Sequence, residues 1–181
     1  MACDATRGRK EACKEQNGGV KSISISQTYT SGLLTSATFD ATDDDITAFA
    51  SALTFYKYET RGNTDNLEQV SETSGDNGTN FTTQTLTVTL RKLTAQDRKE
   101  FKLLKAGSPQ VIVEDYNGNY LLMGIENGCD INITTSTGSG RGDLSGYTLT
   151  MTATEKNEAH FIDPTIINDT INTVITEGSA P

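Results

Sequence analysis

The chain has no tryptophan, a single histidine, three cysteines and three prolines, and each shortage closes off a kind of chemistry. Cys3, Cys13 and Cys129 are an odd number with no C-x-x-C pair, so neither a disulfide framework nor a thioredoxin-type motif is available. Free thiols are the favoured reading, with Cys3–Cys13 the alternative pairing. His160 is alone and the cysteines are scattered, which leaves a zinc cluster without ligands. Nowhere do about 18 apolar residues run together, so no helix is expected to span a membrane. The opening stretch MACDATRGRKEACKEQ lacks the apolar core of a secretory signal, and the chain is expected to begin in a cytoplasm.

Net charge is −9 over 181 residues, and its placement is uneven. Residues 107–181 hold ten acids and two bases, a net of −8, and residues 40–76 hold nine acids and two bases, a net of −7. Residues 91–105 hold six bases and two acids, a net of +4. Phosphate binding needs clustered Lys and Arg, so this is a poor clamp for nucleic acid. Patches of both signs suit self-assembly better.

Threonine and serine are abundant and hydrophobic residues make up only 34%, a composition that favours strands with one wet face. Residues 82–94, TTQTLTVTLRKLT, show it most clearly: Leu86, Val88 and Leu90 point one way, Thr85, Thr87 and Thr89 the other. A helix over about 94–106 is predicted next. Thr94 stands at the N-cap with Asp97 three residues on, Phe101 and Leu104 face inward, and Gly107 and Pro109 stop it.

Along the chain, residues 1–19 read as a polar N-terminal arm, 20–156 as one β domain, and 157–181 as a C-terminal arm. Strands are predicted over 20–29, 49–61, 66–72, 79–90, 110–115, 120–126, 129–135 and 147–155. Ser-Gly-Asp-Asn-Gly at 74–78 and Asn-Gly at 117–118 supply hairpin turns; the first makes a long hairpin with a projecting polar tip. Residues 30–46 read as a soft loop ending in Asp43, Asp44 and Asp45. In the last segment Ile167, Ile171, Val174 and Ile175 fall at helical spacing, yet weak helix formers surround them, so helix and extended arm remain open. Burying such side chains is worth roughly 1.5–3 kcal/mol each, and the segment is expected to pack on a neighbouring subunit.

Several tempting motifs have plainer explanations. The acids at 40–45 lack the alternation and turn glycine of a calcium loop. Arg141-Gly142-Asp143 and its flanking glycines read as a mobile turn, without the strand and helix of a phosphate loop. The Asn-x-Thr sequons at Asn77, Asn80, Asn132 and Asn168 reflect composition. His160 has no nucleophile in a recognisable setting, and Glu114 with Asp115 sits beside a turn, where solvated acids are ordinary. No catalytic, cofactor-binding or metal residue is assigned, and no enzyme activity is expected.

Read together, TRGRKEACKEQNGGVKSISI, FYKYETRG, LTVTLRKLTAQDRKEFKLLKAGSPQVIVEDYNGNYLLMGIENGCDI and GDLSGYTLTMTATEK resemble virion proteins of phages infecting Bacteroidetes, which are similar to phage tail tube proteins. The likeness covers most of residues 6–163. It implies a mainly β fold: a barrel or sandwich of antiparallel strands with one flanking helix, a long hairpin and extended arms. It also implies hexameric rings stacked into a tube in the virion tail, assembled in the host cytoplasm, with neck, terminator or sheath proteins as neighbours. DNA would pass through the lumen without specific binding, and no cofactor or membrane is involved. Inter-ring contacts are expected at Ser74, Gly75, Asp76, Asn77, Gly78, Ile167, Ile171, Val174 and Ile175. The rival readings are a single-ring neck, terminator or hub protein, and a β-sandwich module that binds a glycan or host surface through Tyr56, Tyr58 and Tyr116.

Overall fold

The computed structural model describes residues 8–11, 13–60, 64–167 and the backbone of 173–177. Its strands are β1 (Val20–Ser26), β2 (Ala37–Phe39), β3 (Ile46–Phe49), β4 (Leu53–Glu59), β5 (Asn66–Ser74), β6 (Thr79–Arg91), β7 (Val111–Asp115), β8 (Tyr120–Met123), β9 (Asp130–Ser136), β10 (Gly146–Glu155), β11 (His160–Ile162) and β12 (Thr173–Glu177). The helices are α1, a single turn at Leu33–Ser36, and α2 at Ala95–Leu104. The fold is a mainly β sandwich with α2 at its flank. One sheet has four strands in the order β5-β6-β10-β9; the other has eight, β12-β4-β1-β7-β8-β11-β3-β2.

Period-two alternation builds the space between the sheets. Antiparallel register places Leu86 opposite Met151 and Leu67, and Met151 opposite Ile131, in one inward row; Val88, Leu149 and Ile133 form the next. These rows pack on Ile23, Ile25, Val111, Val113 and Met123 of the larger sheet. Phe101 of α2 closes one end, edge-on to Tyr147 with ring centroids 4.8 Å apart. The helix starts where its sequence says: the Thr94 hydroxyl accepts the Asp97 N–H at 3.0 Å, and the Thr94 carbonyl accepts the Tyr147 hydroxyl at 3.1 Å.

A second core lies on the other face of the eight-stranded sheet. Phe55 of β4 and Ile112 and Leu122 of the central hairpin meet Leu33 of α1, Ile46 and Phe49 of β3, and Ile162 and Ile166. Because β4 and β3 stand far apart in the strand order yet share this cluster, the sheet curls on itself. The serines of β1 therefore do not face water: Ser22, Ser24 and Ser26 are all buried. Ser22 donates to Glu114 at 2.6 Å, and Ser26 accepts the Gln110 N–H at 2.9 Å. Small hydroxyls suit a central strand covered on both sides, since each can satisfy itself on a neighbour.

Three sequence expectations change. The soft loop at 30–46 contains α1 and β2, which roof the second core, and the strand read over 49–61 splits at an Ala50–Ser51 bend. Not every strand pair is antiparallel: β11 runs parallel to β3, and β12 parallel to β4. The C-terminal segment is not an arm throughout. β11 lies inside the sheet, a 3-10 turn at Pro164–Ile166 follows, and Ile166 and Ile167 pack on the second core. The backbone of Thr173–Glu177 pairs in register along the β4 edge of the chain's own sheet.

Glycine is needed at Gly128, where φ is +74° and a Cβ would sit 2.2 Å from the Ser108 carbonyl oxygen. Phe101→Ala should lower unfolding stability by about 3–5 kcal/mol, and Thr94→Ala by about 1 kcal/mol. Urea titration measures both; equal effects would show that the aromatic plug holds α2 no more strongly than its cap.

Candidate assembly surfaces

The β5–β6 hairpin is anchored at its base and free at its end. The buried Asp65 carboxylate accepts the Thr89 N–H at 2.8 Å. Gln69 accepts the Ala159 N–H at 2.6 Å, and Ser71 meets Thr82 at 2.9 Å and Glu158 at 3.2 Å. Gln84 is buried between Gly124 N–H, which it accepts at 3.1 Å, and the Asn157 carbonyl, to which it donates at 3.2 Å. Past these ties Gly75, Asp76, Asn77 and Gly78 are exposed, with Ser74 half-buried. Strand pairing continues to Ser74–Thr79, which leaves the four exposed residues 75–78 as the tip.

The remaining expected contact residues lie elsewhere. Ile167 is half-buried against the second core. Val174 is in register with Thr54 and Ile175 with Phe55 on the β4 edge, and Ile171 lies outside the described residues. The hairpin belongs to the four-stranded sheet and Thr173–Glu177 to the edge of the eight-stranded one.

The four-stranded sheet has two open edges among the described residues, β5 and β9. β9, DINITTS, carries no Pro and no Lys, and Asp130 is its only charge; an edge so lightly guarded is a template for another strand. The outward face of this sheet is a lattice of hydroxyls and amides. One register row runs Asn66, Thr87, Thr150, Asn132, and the next Glu68, Thr85, Thr152, Asp130. Arg91 stands at one end of the face, opposite Gly146.

The residues considered for chemistry are committed to structure. Burial pushes the Glu114 carboxyl up, but hydrogen bonds from Lys21 and Ser22 outweigh it and leave it below the usual range. Asp115 accepts the Asn117 and Asn119 N–H groups at 2.8 Å each, closing the β7–β8 turn. In the Arg-Gly-Asp turn the Asp143 carboxylate is occupied by Ser139 and Gly140. His160 lies edge-on to Phe39, with Nδ1 3.8 Å from Asp44. No group of three or more His, Cys, Asp or Glu among the described residues is placed to hold a metal. Of the three tyrosines, Tyr56 and Tyr116 are exposed. Tyr58 leans on Phe101 with its hydroxyl pushed by burial to about 12, and the Tyr116 ring lies against Gly19. Two concavities, about 140 Å³ beside Gln110 and Phe55 and about 20 Å³ beside Glu114, fall below the roughly 300–1,000 Å³ of a ligand pocket.

Two buried acids were not assigned from sequence, Asp65 at the hairpin base and Glu155. Glu155 falls at an inward position of β10; one oxygen accepts the Glu126 and Asn127 N–H groups at 3.2 and 2.9 Å, and the other has no partner. Its place in the alternation, after Met151 and Ala153, was the available signal. It also faces Cys129, whose thiol is pushed up by burial and then by this carboxylate.

No family model, no curated protein and no solved structure matches this chain.

Burial holds the Glu155 carboxyl above its ordinary value despite the two N–H donors. Such a group stabilises the fold fully below its unfolded value and loses that contribution as pH rises through the folded one. Glu155→Gln should therefore gain on the native chain in urea midpoint as pH rises from the ordinary carboxylate range toward neutral. A difference that stays flat across this range would rule out the buried charge as its source.

Proposed function

We propose that the chain is a phage tail tube subunit, which closes into hexameric rings that stack into a conduit for DNA. The observation that carries the reading is the four-stranded sheet, with its open β5 and β9 edges and its outward face of threonine, asparagine and isolated acids. Pairing β9 of one copy with β5 of the next would satisfy both edges, and repeating the step around a ring leaves none exposed. The outward faces would then line a channel of hydroxyls with Glu68 and Asp130 spaced along it. Six copies carry six times −9, a formal charge of −54. Such a wall repels phosphate and forms no lasting contacts with it, which lets DNA slide.

The projecting hairpin gives the ring an axial handle. Its tip is polar and exposed, as a ring-to-ring contact requires. The work is geometric and electrostatic, with no catalytic step. Neck, terminator or sheath proteins would meet the ends and outside of the tube.

Electron microscopy of the purified protein tests this directly. Tubes are expected from the native chain, and Asp76→Arg combined with Asn77→Arg should leave rings that do not stack, with unchanged circular dichroism. Native rings that never stack would point to a neck or terminator protein. A chain that stays single at high concentration would sink the proposal.

A further inference from the structure

Of the four Asn-Gly pairs among the described residues, Asn17-Gly18 lies in the exposed N-terminal stretch, and Asn77-Gly78, Asn117-Gly118 and Asn127-Gly128 occupy turns. The three turns are alike in local sequence and differ sharply in how they are held, which bears on a modification open to any Asn-Gly pair. In an Asn-Gly pair the glycine amide nitrogen, after losing its proton to solvent base, can attack the asparagine Cγ. The N–Cγ bond forms, the Cγ–Nδ2 bond breaks, and Nδ2 takes a proton and leaves as ammonia. Water then opens the five-membered succinimide at either carbonyl, giving aspartate or isoaspartate. No electrons are exchanged, and water is the only co-reactant. The step requires a free glycine N–H and a carboxamide able to swing onto it, so its rate depends on how often that near-attack geometry is reached.

At Asn117 both requirements are blocked. Its Nδ2 donates to the Asn17 carbonyl at 2.8 Å and to Asp115 at 3.2 Å, and its Oδ1 accepts the Asn17 N–H at 2.9 Å. The Gly118 N–H donates to the Asp115 carbonyl at 3.4 Å. At Asn127, Nδ2 donates to the Thr154 carbonyl at 2.9 Å. The Gly128 N–H donates to the Gly124 carbonyl at 3.0 Å, and Gly128 is buried against Ser108. Asn77 has none of this. It is exposed at the hairpin tip, its backbone N–H reaches Ser74 at 3.4 Å, and no hydrogen bond holds its carboxamide or the Gly78 N–H among the described residues. Nothing lies within 4 Å of a Cβ built at Gly78.

We propose that, of the three turns, the one at Asn77 is the site of spontaneous deamidation in the folded protein, with Asn117 and Asn127 protected by their hydrogen bonds. The product places a second carboxylate beside Asp76 and, in the isoaspartyl form, adds a methylene to the backbone of the turn. The hairpin tip thereby carries a slow chemical clock that the other two turns lack. This inference rests on the turn geometry and stands whether or not the chain builds tubes.

The test is to hold the native chain at mildly alkaline pH, digest it, and follow aspartate and isoaspartate formation in the three peptides by mass spectrometry. The same is done in urea. In the native protein Asn77 should convert at least about tenfold faster than either of the others, since each of those must break hydrogen bonds to react. In urea the three rates should converge. Conversion of Asn117 or Asn127 as fast as Asn77 in the folded chain would overturn the proposal. So would an undiminished preference for Asn77 in urea, because the selectivity would then come from neighbouring residues and not from the fold.

Discussion

The structure depends on one pairing, the antiparallel ladder of β6 with β10, which runs from Gly146–Arg91 to Glu155–Thr82. Two strands that both alternate threonine with aliphatic residues, laid in this register, sort every side chain at once. Leucine, valine, methionine and tyrosine collect on one side and hydroxyls on the other. A slip by one residue would turn the whole oily set outward. That penalty fixes the register, and the register fixes where β5 and β9 attach and which face of the sheet meets water. The helix, the second sheet and the hairpin are arranged around a surface the ladder has already defined.

Polar residues at inward positions of this ladder do a different job. Gln84 and Glu155 fall in phase with the core residues, where an apolar side chain would add burial. Each instead grips the backbone around Gly124–Asn127, and Gln84 also holds Asn157. Gln110 does the same across the larger sheet, bonding to Thr30 and Ile125. Together these amide and carboxyl groups tie irregular connections to regular strands. Loops that must pass close to a core carry polar backbone that needs partners, and these side chains provide them without water.

This division explains what could be read from the residues alone. The β6 and β10 alternation, the Thr94 cap and the two hairpin turns are local patterns, and each is where the sequence put it. The curl of the eight-stranded sheet is not local. It depends on β3, β4 and β11 meeting across distant stretches of chain, so the burial of Ser22, Ser24 and Ser26 had no signature at β1 itself. Parallel pairing of β12 with β4 was equally hidden, since an aliphatic run reads the same whether it docks at home or elsewhere. Among the surface candidates the hairpin tip was legible from its turn residues. The seating of Ile167 was not, because the residues left helix and extended arm open where a 3-10 turn and a strand stand.

The parallel strand also has a consequence for the order of events during synthesis. Thr173 lies against Leu53, and Glu177 against Lys57, so the flank of β4 waits for residues that leave the ribosome long after it. Until then the backbone donors and acceptors along that flank have only solvent, or another molecule, to bond with. A crowded polysome making many copies at once presents such flanks to one another, and chaperone attention to nascent chains would be most useful in this interval.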